Sequence, residues 1–143
     1  MDGTSRRVLI LDSDADWLIR LQHVFEGAGI DTTITWDKRE ACRWLENDPF
    51  DLVVIGDHPP ELDPATILDD LSFRGVCPPV LILRKVVGEG DIEYFTWRGT
   101  IGVVSKGDPL TVADYVAKAL DSLQFKAKSA RAGLLKNRSR GAA

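Results

Sequence analysis

Four apolar runs, Val8–Leu11, Leu52–Ile55, Val80–Leu83 and Ile101–Val104, do not alternate with polar residues. A strand with one wet face alternates. A run without alternation belongs to a strand buried on both faces, as in a parallel sheet covered by helices on each side. A fifth segment, Asp31–Thr35, is β-branched but more polar, which places it toward a sheet edge.

Helical patterns lie between the runs. Leu18, Leu21 and Phe25 recur at i, i+3 and i+7 with Val24 beside them, and Gly27 and Gly29 are natural stops. Ala41 and Leu45 mark a second helix from about Lys38 to Glu46. Ile67, Leu68 and Leu71 mark a third, opened by Asp63-Pro64, an N-cap followed by proline at the first helical position. A fourth, over Asp91–Trp97, is short. The fifth opens with the same signal, Asp108-Pro109, and continues with Val112, Tyr115, Val116, Ala119, Leu120 and Leu123 at helical spacing. Strand and helix thus alternate five times. Short connections and right-handed crossovers turn that order into an α/β, doubly wound (βα)5 sandwich with a five-stranded parallel sheet.

The 143 residues suit one domain, and a 44% apolar share is enough for a core. No stretch approaches the roughly 20 apolar residues of a membrane span. The polar start, Met1–Arg7, is followed by too short an apolar run for a secretory signal. The two cysteines, Cys42 and Cys77, fall on different elements and match no metal or redox spacing. A cytoplasmic location is the expectation. The net charge of −4 conceals an asymmetry, because Lys126, Lys128, Arg131, Lys136, Arg138 and Arg140 follow Phe125 with no acid among them. The expected organisation is a domain over residues 1–124 and a basic tail over 125–143, which extends the last helix as far as Gly133 or frays.

In an open parallel sheet, ligands bind beyond the carboxyl ends of the strands. Those ends read Asp12-Ser13-Asp14, Gly56-Asp57-His58-Pro59-Pro60, Arg84-Lys85 and Ser105-Lys106-Gly107. Acids, bases and a histidine are brought to one edge.

In the order and spacing of these ends the chain resembles the receiver domain of two-component response regulators, from about Arg6 to Leu123. Val8-Leu9-Ile10-Leu11-Asp12-Ser13-Asp14 stands where the family has an apolar strand and paired acids. Asp51-Leu52-Val53-Val54-Ile55 leads to Gly56 where the family has its phospho-accepting aspartate, with Pro60 four residues on. Arg84 stands in place of the Thr or Ser after strand four, and Lys106 matches the lysine after strand five. The resemblance implies acids that hold Mg²⁺, a hard ion that takes oxygen ligands. It also implies a hydroxyl and a lysine that bind phosphoryl oxygens.

The departures fall on that machinery. Gly56 has no side chain, Ser13 replaces one of the paired acids, Arg84 brings a permanent charge, and the aromatic switch position is Val103. Asp12 and Lys106 alone keep their places. The expectation is a degenerate phosphorylation pocket (Asp12, Ser13, Asp14, Gly56, Asp57, Arg84 and Lys106) with no cofactor and weak or absent Mg²⁺ binding. Arg84 is expected to pair with Asp12, Asp14 or Asp57. Asp57 lies one residue past the acceptor slot, so strand alternation points it elsewhere unless a bulge re-aims it.

His23 and His58 are read as surface or loop residues with no third zinc ligand, and no nucleophile–base arrangement has supporting spacing. Trp17 and Trp44 fall off the apolar stripes, so one or both are expected to be exposed. The leading function is that of an atypical, non-enzymatic receiver acting as an interaction module. Its expected surface is helix four, strand five and helix five, the output and dimer face that the resemblance implies, with Tyr94, Phe95, Trp97, Val103 and Tyr115, for a protein partner or a second copy. One alternative is a phosphorelay receiver phosphorylated at Asp57. Another is nucleic-acid association through the tail, which the acidic body opposes and which would be salt-sensitive and non-specific.

Overall fold

Five parallel strands, β1 (Arg6–Leu11), β2 (Ile30–Thr35), β3 (Leu52–Gly56), β4 (Val80–Arg84) and β5 (Gly102–Ser105), form one sheet in the order β2-β1-β3-β4-β5. The helices are α1 (Ala15–Gly27), α2 (Lys38–Asn47), α3 (Pro64–Phe73), α4 (Asp91–Trp97) and α5 (Pro109–Gly141). This strand order is the flavodoxin-like one, in which the chain reverses direction between β1 and β3 and opens a crevice there. The computed structural model describes residues 6–58 and 61–141, with side chains described up to residue 130. Pro60 lies outside the described residues.

The local signals act as their chemistry dictates. Asp14, Asp37 and Asp63 cap α1, α2 and α3 by accepting the N–H groups of Trp17, Arg39 and Ala65. Each cap satisfies a donor that the first helical turn leaves unpaired, worth about 1 kcal/mol. β2 lies at an edge of the sheet, as its polar composition requires. Alternation along the strands divides the core in two. Leu9, Leu11, Val53, Ile55, Val80, Ile82 and Val103 face one cluster with Ala41, Cys42, Leu62, Ile67, Leu71 and Phe95. Val8, Ile10, Leu52, Val54, Leu81 and Leu83, also buried, face the other way.

Two units make up the chain, Met1–Ala113 and Asp114–Ala143, and the division falls inside α5. The first holds the sheet, α1–α4 and the opening turn of α5. The second is helical to Gly141, beyond the Gly133 expected from the sequence. Along it Val116 and Leu120 are buried, and residues 124–130 are all exposed. Among the described residues no helix is long and apolar enough to cross a bilayer.

The two thiols differ. Cys42 is buried and donates to Asp70 Oδ2 at 3.5 Å, while Cys77 is exposed. Burial, with the Asp70 carboxylate adding to it, pushes the Cys42 thiol up to about 11. The thiolate is the reactive form, so Ellman's reagent at neutral pH is expected to label one cysteine per native chain quickly. The second should react only on unfolding. Two equally fast thiols would show that the α2–α3 contact at Cys42 is open.

Candidate functional site

Three strand ends meet at the β1/β3 crevice. The β1 ladder runs one residue past Leu11, with the Asp12 N–H donating to the Thr35 carbonyl at 3.2 Å. The Asp12 side chain is fully buried. Its Oδ1 accepts the Asp14 N–H at 3.1 Å, and its Oδ2 lies 2.7 Å from Lys106 Nζ. That approach is a charge–charge contact without hydrogen-bond directionality. Lys106 is only 8% exposed and is held by its N–H donating to the Arg84 carbonyl at 2.8 Å.

Gly56 is what admits this pair. A Cβ at residue 56 would overlap Asp12 Oδ2, lie 2.5 Å from Asp12 Cγ and sit 3.1 Å from Lys106 Nζ. The space that a side chain at this position would need is therefore filled by the Asp12–Lys106 contact. Two buried charges in contact roughly offset their desolvation, but either alone would be costly.

A second ionic group lies on the opposite face of the sheet. The β3–β4 register runs unbroken to Gly56↔Leu83, and the Asp57 N–H then donates to the Leu83 carbonyl at 2.8 Å. No bulge intervenes, so alternation puts Asp57 on the side of Val53 and Ile55, away from the side of Gly56. Arg84 follows Val80 and Ile82 onto the same side as Asp57. Its Nε lies 2.8 Å from Asp57 Oδ2, and its Nη1 lies 2.9 Å from Asp91 Oδ1 at the start of α4. Asp91 Oδ2 in turn accepts the Gly88 N–H at 2.5 Å. Arg84 is about one-third exposed while Asp57 and Asp91 are 10% and 19% exposed, so water screens the two pairs only in part and each adds on the order of 1 kcal/mol. Their structural effect is to tie the β3 end, the β4 end and the β4–α4 loop together. Beside them an open cleft of about 630 Å³ is lined by Asp57, Asp63, Arg84, Asp91, Tyr94 and Phe95, among others.

Of the seven pocket residues expected from the sequence, Asp12, Gly56 and Lys106 come together at the crevice, and Asp57 and Arg84 pair with each other. Asp14 is an exposed N-cap, and the Ser13 hydroxyl oxygen is buried with no hydrogen-bond partner among the described residues. Asp91 and Gly88 were missed. The only signal for them was an aspartate just past Gly88-Glu89-Gly90. Arg84 has Asp57 as its partner among the three acids considered. Of the five expected surface residues, Phe95 and Val103 are buried in the core cluster, and Phe95 reaches only the wall of the cleft. Strand alternation turns Val103 inward, and Phe95 lies on the buried side of α4. Tyr94, Trp97 and Tyr115 are exposed. The tryptophan expectation also needs correction. Trp17 is buried in the first turn of α1 and Trp44 packs partly buried against the core, while Trp36 and Trp97 are the exposed ones. His23 is exposed, and His58 lies in the loop 3.7 Å from Glu61.

No family model matches the chain, and no curated protein is detectably similar to it. Solved structures are similar. The receiver domain of a Francisella response regulator superposes with a TM-score of 0.73 at 24% identity, covering 86% of this chain and 99% of that one. The chain has the receiver fold. A CheY-like receiver domain protein from Methanospirillum hungatei gives a TM-score of 0.74 at 18% identity, over 86% of this chain and 99% of that one. An orphan response regulator of H. pylori gives 0.69 at 13%, over 81% and 97%. Identities this low speak to the fold alone.

Proposed function

We propose that this chain is an atypical receiver, a non-catalytic signalling module that acts by binding a protein and does not pass through a phosphoaspartate. One observation carries the reading: at the acceptor position a glycine makes room for a buried ion pair between Asp12 and Lys106. Phosphotransfer to a receiver needs a carboxylate nucleophile at that place and a lysine free to take phosphoryl oxygens. Here the nucleophile is absent, and the lysine is committed to Asp12. Asp57, the alternative acceptor, is held by Arg84 on the other face of the sheet.

The donor set also fits Mg²⁺ poorly. A hard divalent ion needs several free oxygen ligands, whereas Asp12 faces an ammonium and Asp57 and Asp91 share a guanidinium. Among the described residues no group of three His, Cys, Asp or Glu side chains is arranged to hold a metal ion. Binding through a surface is supported by Trp97 and Tyr94, large aromatics left in water on α4.

Acetyl phosphate in excess Mg²⁺, followed by intact-mass spectrometry, tests the reading. The expected result is unmodified chain, together with a flat calorimetric Mg²⁺ titration. A stoichiometric, acid-labile phosphoryl group that disappears in Asp57→Asn would replace this reading with that of a phosphorelay receiver.

A further inference from the structure

The most exposed large side chains in the first unit lie at the ends of α3 and α4. Phe73 is 92% exposed and Trp97 83% exposed, with Tyr94 at 45%. On the same two helices Arg98 Nη1 lies 2.8 Å from Asp69 Oδ1 and so links α4 to α3. Phe73 stands one helical turn after Asp69. Arg98 Nε also donates to the Tyr94 hydroxyl at 2.9 Å, and its guanidinium lies over the Tyr94 ring at 5.1 Å. Aromatic residues and arginine left in water match the composition of protein-binding hot spots.

Charge narrows the occupant. Residues 61–74 and 91–98, the segments that carry these side chains, hold six acids and two bases, and with Arg84 paired to Asp91 the acids still outnumber the bases. A partner for it should be basic and should carry an apolar anchor. The stretch from Phe125 onward has six basic residues, no acid, and Phe125, Leu134 and Leu135 as apolar members. Phe125 is 71% exposed on α5, and Lys126 and Lys128 are exposed beside it. We infer that the α3–α4 face is a docking surface for the basic helical extension of a second copy of this chain. This contact deepens the interaction reading above and rests on it, but it does not depend on the state of the Gly56 crevice.

The contact joins two different surfaces, so it is heterologous. Copies joined head to tail extend into longer assemblies unless the rotation closes a ring. Opposite charges make the attraction strong at low salt and screened within about 8–10 Å near physiological ionic strength.

Sedimentation velocity on the full chain tests the proposal. At low salt the wild-type protein is expected to show masses that rise with concentration beyond a dimer, and to dissociate as salt increases. Two surface variants should each weaken association by about tenfold or more: Phe73→Ser with Trp97→Ala on the face, and Lys126→Glu with Lys128→Glu on the tail. Mixed in equal amounts, they should form a dimer and nothing larger, since one intact tail can meet one intact face. A wild-type monomer at all concentrations, variants that associate like wild type, or a mixture that stays monomeric would each overturn the proposal. A wild-type monomer that also accepts no phosphate refutes this contact and leaves the phosphorylation-independent reading standing.

Discussion

Replacing Gly56 with alanine is expected to destabilise the protein by about 2–4 kcal/mol, more than most surface or loop glycines would cost. The added methyl would overlap the Asp12 carboxylate. Asp12 is short and fully buried, and it is held by the Asp14 N–H and by Lys106. It cannot move aside without breaking the ion pair or stranding a charge in the core. For a chain of this length the loss should appear as a fall in melting temperature on the order of 10 °C. Backbone strain is not part of the effect, because the residue does not have positive φ. An alanine variant that melts within about a degree of wild type would show that the Asp12 side chain is placed elsewhere.

Lys106→Met should be as costly, by about 3–5 kcal/mol. Methionine matches the lysine stem in length and keeps its packing, so the change isolates the charge. The Asp12 carboxylate would then be buried with no cation beside it. Arg84 cannot take over, because it lies on the opposite face with Asp57 and Asp91. Removing Arg84 should cost less, on the order of 1–2 kcal/mol, because water reaches the guanidinium and neither Asp57 nor Asp91 is fully buried as Asp12 is. Chemical denaturation of the two variants side by side measures that contrast. A smaller loss at Lys106 than at Arg84 would invert the ranking that burial dictates.

The fold was legible because its signals are local. Unalternated runs such as Val80–Leu83 announce buried strands, and Asp63-Pro64 and Asp108-Pro109 mark helix starts within a residue of where they occur. That residue 56 offers no carboxylate was equally legible, since glycine has none whatever surrounds it. What occupies its place was not. The Asp12–Lys106 contact depends on how β1, β3 and β5 stand in register, and no spacing along the chain encodes it. Asp91 as the second partner of Arg84 likewise depends on how the Gly88–Gly90 loop closes. Trp17 and Trp44 lie off the apolar stripes, which pointed to one or both being exposed, yet the first turn of α1, capped by Asp14, leaves Trp17 buried and Trp44 packs partly buried against the core.

The central claim is that the space beside Gly56 is closed by an internal ion pair, and a double-mutant cycle across Asp12 and Lys106 tests it most directly. Asp12→Asn keeps an oxygen that can accept the Asp14 N–H while removing the charge. The account predicts that adding Asp12→Asn to Lys106→Met restores much of the lost stability, with a coupling energy of about 2–3 kcal/mol. Losses that simply add, with coupling near zero, would mean that the two side chains do not meet and that the crevice at Gly56 is open.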